Sequence, residues 1–469
     1  MKSVVMIAYF FPPEANAGTF RPLRFVRHLS RRGWRTAVVS ANPYRYERYD
    51  ASLLASIPSE TEVVQVRGRD PWQALQARRG KQLQEKLAGV SGKVAEEIRS
   101  AHHRPFRSRM REAVRAVEAG YYLPDMARPW IRPAARATIK LCQRNRPSVI
   151  WATAGPVSAW VAAQQASRRT GVPYVLDLRD PYGLDYYDFE VRQPAWAKRR
   201  YGRTLNQLFK EAQSVVVMFD TLAECYVRAY PDALDASKIH IIPNGYEGTI
   251  EASPLPSGDK CLILYTGTLS SYRYDTFLLA LHSLKQTEPA LAGQLRLLFV
   301  GDYMEEIARD VSALGLSDMV ETASAKSQAE VRRLHREAHA LLILGRRPER
   351  KGHELVAGAK LFDYFKARRP IIGVLPQDET RKILGRVGVT TVADADSAPE
   401  IVAVLRQLVD AWTKEVLASL LPHQRACEAF SAEQQTDALV RALECAPSAE
   451  PFVSGLTDIP LSLRGGIAR

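Results

Sequence analysis

Thirteen short, mainly apolar runs rich in β-branched residues alternate with longer helical patterns along the chain. Seven come first, at 4–11, 36–40, 62–66, 148–152, 174–178, 214–218 and 239–243. Six follow, at 262–267, 295–301, 319–323, 339–345, 370–375 and 389–393. A strand that is apolar at every position is buried on both faces, as happens where helices cover both sides of a parallel sheet. Alternation with helices makes the class α/β. One sheet of thirteen strands would be exceptional. A stretch rich in Gly, Ser and Pro at 244–259 separates the groups, so the expectation is two doubly wound domains. Their expected limits are 1–243 and 244–425, with a closing helix at 426–446 and a loose tail at 447–469. Inside the first domain, 70–146 reads as helical and holds no strand.

Of 469 residues, 46% are hydrophobic and 25% charged, which suits folded globular domains and excludes wholesale disorder. The charge is unusual. Lys and Arg outnumber Asp and Glu by 14, and such a chain expects an anionic partner: nucleic acid, a nucleotide-bearing substrate or an anionic membrane. Half of the excess lies in 76–115, where eleven Lys or Arg face four Glu. That stretch reads either as a solvated cationic helix or as a surface for an anionic leaflet, to which Tyr121, Tyr122 and Trp130 would add interfacial rings. No RNA- or DNA-reading motif accompanies it, so nucleic acid is not expected as a partner. The five cysteines are scattered without C-x-x-C spacing, which fits a reducing cytosol and no zinc site. The opening MKSVVMIAYFFPP is read as a buried first strand rather than a leader, and no run is long enough to span a bilayer. The expected location is cytoplasmic, peripheral on the inner face of the cell membrane.

In open α/β sheets ligands bind beyond the carboxyl ends of the strands, so the loops there carry the candidates. After the first strand, PPEANAGTFR (12–21) is either an anion-binding loop opening a helix or a plain turn capped by Thr19. After the fifth, DLRD (177–180) is either a cleft loop or an Arg–Asp pair bracing the turn. The Asn-Gly turn of IIPNGYE (241–247) reads as a hinge. Gly267 and Gly301 end strands in the second half, where backbone can approach a ligand, and Arg273 is either a phosphate contact or a solvated charge. The stretch 345–373 places five cations before a helix expected to begin near Val356, with Lys360 and Asp363 three residues apart. A helix N-terminus, cations and a carboxylate suit a nucleoside diphosphate, although a basic surface loop would look the same. Asp394 and Asp396 form a D-x-D, but no metal is expected there.

These pieces, in their order, resemble retaining glycosyltransferases of family 4 with the GT-B fold, especially bacterial polysaccharide enzymes. The carriers are YFFPPEANAGTFR (9–21), RRGWRTAVVSANP (31–43), YYLPDMARPWIRPA (121–134), SVIWATAGPVSAW (148–160) and GVPYVLDLRDPYG (171–183). The second half adds IHIIPNGYE (239–247), ILYTGTL (263–269), LLFVGDY (297–303) and KLFDYFKARRPIIGVLP (360–376). The resemblance implies two Rossmann-like domains facing a cleft, with the acceptor on the amino-terminal side and the sugar nucleotide on the other. By motif position, Gly18, Arg21, Gly267, Arg273 and Lys360 would lie near the donor phosphates. Asp363 would take the place of the ribose-binding carboxylate. The family's paired glutamate falls on Leu355, with Glu354 beside it. Thr268 stands where a basic residue is usual, and Arg179 with Asp180 where many members have His. Those two are the catalytic candidates.

The reaction implied is transfer of a hexosyl or N-acetylhexosaminyl group from a nucleotide diphosphate to a hydroxyl, with retention. The acceptor would be a lipid-linked glycan in cell-surface polysaccharide synthesis. Fixed cations would stabilise the departing phosphate without metal or cofactor. A sugar-nucleotide epimerase of the same fold and a non-catalytic anion- or membrane-binding protein are the competing readings.

Overall fold

The computed structural model describes residues 2–42, 48–68, 120–186, 190, 193–251, 253–269, 272–302, 304–346 and 353–444. The cationic stretch 76–115 and the expected tail at 447–469 therefore lie wholly outside the described residues. Two compact units emerge. The first takes its described residues from Met1–Val217, Tyr226–His240 and 440–444, the second from Met218–Cys225 and Ile241–Leu439.

In the first unit the order is β1 (Ser3–Ile7), α1 (Ala17–Arg31), β2 (Arg35–Ala41), β3 (Glu62–Val66), α2 (Arg128–Asn145), β4 (Val149–Thr153) and α3 (Ser158–Thr170). There follow β5 (Tyr174–Leu178), α4 (Ala195–Glu211), β6 (Ser214–Val217), α5 (Asp220–Ala229) and β7 (Ile239–Ile241). The sheet runs β3-β2-β1-β4-β5-β6-β7, so strand order reverses between β1 and β4. Pairs from β3 to β6 are parallel. β4, β5 and β6 are buried at every residue, Asp177 of β5 included, whereas the edge strand β3 is half-exposed.

The second unit is built from β8 (Cys261–Thr266), α6 (Asp275–Thr287), α7 (Pro289–Ala292), β9 (Leu295–Gly301), α8 (Met304–Ala313), β10 (Val320–Ser324) and α9 (Gln328–Glu337). It continues with β11 (Ala340–Leu344), α10 (Lys360–Ala367), β12 (Ile371–Leu375), α11 (Glu379–Arg386), β13 (Val392–Asp394) and α12 (Ala398–Thr413). The last helices are α13 (Gln424–Glu428) and α14 (Ala432–Leu443), the latter the expected closing helix. The six-stranded sheet, β10-β9-β8-β11-β12-β13, is parallel throughout and reverses order between β8 and β11. Ile263, Phe277, Leu281, Leu297, Phe299 and Leu405 join strands and covering helices in one apolar core.

Two local expectations are corrected. The helix anticipated near Val356 begins at Lys360, after a single 3₁₀ turn at His353–Leu355. Gly358 is a poor helix former, and its carbonyl accepts the Leu361 amide in a tight three-residue turn that delays the α-helix. The cap of α1 is Asn16, whose side chain accepts the Gly18 amide, rather than Thr19.

Candidate active site

The loops after β8 and β11 flank the point where the second sheet reverses order, the usual ligand position in such sheets. Tyr265, near the end of β8, turns its phenol toward the start of α10. There Lys360 donates from Nζ to the Tyr265 hydroxyl at 2.7 Å. The ammonium also stands 4.0 Å from the Tyr265 ring centre and 4.5 Å from that of Tyr272. Gly267 makes room for this arrangement. Its φ of +125° favours glycine, and a Cβ there would come within 2.8 Å of Lys360 Nζ. Its amide is already bonded to the Val300 carbonyl, so its contribution is space rather than a donor. Arg346, which bridges to Tyr272 through the backbone, carries a second cation 6.0 Å from the Tyr272 ring. Burial, followed by the neighbouring Arg346 charge, lowers the Lys360 pKa to about 7.

The same small pocket takes in Asp378 and Thr380 at the head of α11. Asp378 caps that helix, accepting the Arg381 amide at 2.9 Å, and burial pushes its carboxyl up to about 7. In the unfolded chain the group ionises near its ordinary value. Stability is therefore lost as pH rises from about 4 to about 7. Asp378→Asn keeps the capping oxygen and is expected to flatten that loss, with the variant melting above the parent at pH 8 but not at pH 4. Thermal scans at the two pH values check this, and equal shifts at both would contradict it.

Other candidates of the second unit lie differently. Arg273 forms an ion pair with Asp396, reaching Asp396 Oδ2 from Nη1 at 3.1 Å, and its amide donates to the Gly345 carbonyl. Asp394 accepts the Asp396 amide at 2.9 Å, so the D-x-D closes a turn and holds an arginine. Asp363 is exposed on the first turn of α10, Glu354 is half-buried, and Leu355, at the family's glutamate position, is 1% exposed. No three His, Cys, Asp or Glu side chains converge as a metal site among the described residues.

In the first unit, α1 is fastened to the sheet by charge. Arg21, 2% exposed, donates from Nη2 to Asp177 Oδ1 at 2.8 Å and from Nε to both carboxylate oxygens. Thr153 of β4 donates to Asp177 Oδ2 at 2.7 Å. The brace in DLRD is thus Asp177 with Arg21. Gly18 lies between Asn16 and Phe10, whose Cδ2 would be 2.7 Å from a Cβ there. Arg179 and Asp180 form no ion pair with each other. Arg179 Nε donates to the Ala154 carbonyl at 2.8 Å, and Gly155, at φ +92°, passes so close that a Cβ would lie 2.4 Å from Arg179 Nη2. The Asp180 carbonyl accepts from Tyr226, which leaves its half-buried carboxylate at the carboxyl end of β5. The structure therefore gathers Gly267 and Lys360, with Tyr265, Tyr272, Arg346, Asp378 and Thr380, in the second unit. Gly18, Arg21, Arg179 and Asp180 belong to the first, and Arg273 is turned to Asp396.

Residues 91–247 match the sequence model of Glycosyltransferase Family 4. The chain has the GT-B fold. A glycosyltransferase from Rickettsia africae ESF-5 superposes with a TM-score of 0.60 at 10% identity, covering 94% of this chain and 98% of that one. The apo form of the lipopolysaccharide outer core galactosyltransferase WaaB gives 0.55 at 12% identity, covering 95% and 99%. A putative UDP-N-acetylglucosamine 2-epimerase from Listeria monocytogenes gives 0.51 at 10% identity, covering 95% and 96%. At these identities the structures share the fold. No curated protein sequence matches this chain. Among its described residues, no helix is long and apolar enough to cross a membrane.

Proposed function

We propose that the second unit binds a nucleotide sugar with its diphosphate against Lys360 and Arg346, and that the sugar passes to a hydroxyl with retention. The observation that carries this reading is the Lys360 ammonium, held between Tyr265 and Tyr272 at the sheet's reversal point and within 2.7 Å of the Tyr265 hydroxyl. Fixed cations placed where phosphate charge develops lower the barrier to its departure and need no metal. The anomeric carbon–oxygen bond breaks, the acceptor oxygen bonds to that carbon on the same face, and its proton goes to the leaving phosphate. Asp180 and Arg179 would position the acceptor, whose side is the first unit. A hexosyl or N-acetylhexosaminyl donor and a lipid-linked glycan in cell-surface polysaccharide synthesis fit this assignment. So does work at the cytoplasmic face of the membrane.

Purified protein incubated with a panel of nucleotide sugars and lipid-linked acceptors is expected to give a new glycoside with the donor's anomeric configuration. Absence of both nucleotide binding and transfer across the panel would refute the reading. The shared fold of the epimerase supports a second one. A donor isomerised without any acceptor would favour it, while binding without either product would leave a non-catalytic protein.

A further inference from the structure

A groove in the first unit is lined by none of the residues assigned to either substrate. It holds about 480 Å³ between α2, α3 and α4. Arg128, Arg132 and Arg200 line it together with Leu123, Ile131 and Val161, and among the described residues no acid does. Arg132 and Arg200 are exposed and have no ion-pair partner among the described residues. Arg128 lies over the Tyr121 ring at 5.4 Å and donates to the Tyr121 carbonyl.

The charge continues along α2, where cations recur at every fourth position, Arg128, Arg132, Arg136, Lys140 and Arg144, all exposed, in a helix without an acid. Each step advances about 40° round the helix, so the first three share the groove side. Arg144 alone of these pairs with a described carboxylate, that of Glu62. Two large apolar side chains project where the helices begin: Met126, 58% exposed, before α2, and Trp196, 41% exposed, in the first turn of α4. Trp196 rests beside Gly120, next in sequence to Tyr121 of the groove.

We infer that this face docks on an anionic bilayer, with the groove taking the phosphate of a phospholipid headgroup between Arg128, Arg132 and Arg200. The inference rests on the membrane part of the proposed function and gives it a surface. Guanidinium groups above apolar walls match a phosphodiester attached to hydrocarbon, and Met126 and Trp196 suit the interface between headgroups and chains. The chain's own 76–115 stretch carries net charge of the same sign as the groove, which makes it a poor candidate for the occupant. Nucleic acid fits less well, because Arg128 and Tyr122 already flank the Tyr121 ring that lines the groove.

The test is co-sedimentation of the full chain with phosphatidylcholine vesicles, plain or containing about 30% phosphatidylglycerol. Binding is expected only to the anionic vesicles and to weaken with salt. Arg132→Glu with Arg200→Glu should reduce it at least about tenfold, while Arg309→Glu with Arg332→Glu, equal in charge and placed in the second unit, should not. Nucleoside diphosphate binding, followed in the same samples, should be unchanged in both. If the first double variant sediments like the parent, docking belongs to another surface and the inference falls while membrane association stands. A parent that ignores anionic vesicles removes both. Displacement by free glycerol phosphate would assign the groove to a soluble phosphate ester, and retention on single-stranded RNA without vesicle binding to nucleic acid; either overturns the proposal.

Discussion

Lys360→Met is expected to raise the melting temperature near neutral pH while nucleoside diphosphate affinity falls roughly 30- to 1,000-fold, the scale of removing one partner from a desolvated charge pair. The two effects share one cause. With its pKa lowered from 10.5 to about 7, the folded lysine resists the charge that the unfolded chain accepts freely. Between those values the unfolded state binds more protons, so parental stability climbs as pH rises from about 7 toward 10.5. Below that window the penalty is constant and complete; above it the penalty is gone. Methionine has no such dependence, so its advantage should be greatest below pH 7 and fade in alkali. A phosphate beside the ammonium reverses the balance by favouring the proton. Donor binding should therefore take up protons around pH 7–8 and weaken as pH rises further. Calorimetry in two buffers of different ionisation enthalpy reads the uptake. Nucleotide binding by the methionine variant at parental strength would remove Lys360 from the phosphate site.

The second large effect is structural. Asp177→Ala leaves the Arg21 guanidinium 2% exposed without its carboxylate, and deprives Thr153 of its acceptor. Breaking a buried pair in this way costs about 3–5 kcal/mol. Urea unfolding followed through first-unit tryptophans should show it. Substituting both partners, Arg21→Met with Asp177→Leu, should recover most of the loss, because no charge is then left stranded. A change below about 1 kcal/mol in Asp177→Ala would mean that water reaches Arg21 and that the pair is not the fastening of α1.

How legible these features were in the sequence depends on the range of the interaction. Strands such as Val149–Thr153 and Ile371–Leu375 announce themselves because burial on both faces leaves no polar position. The edge strand Val320–Ser324, with Glu321 exposed, was readable only from its place in the rhythm. Gly267 and Lys360 were found as strand-end and helix-start residues, but the cage was not, since Tyr265 and Lys360 meet across 95 positions. Arg21 looked like a phosphate contact because its loop resembles one, while its partner, 156 residues away, is visible only once β5 lies near α1. Asp378 gave no signal: an aspartate before a helix reads as a cap, which it also is, and its burial beside the pocket follows from the turn after β12.

The division of the chain between units bears on synthesis. The first unit includes 440–444, and there the Ala442 and Leu443 carbonyls accept bonds from the Ser214 hydroxyl and the Gln213 side-chain amide. A ribosome delivers those residues after the whole second unit. The amino-terminal unit thus waits, with the start of β6 uncovered, until the whole second unit has been made. A fragment ending at His240 would be a permanently arrested version of that wait.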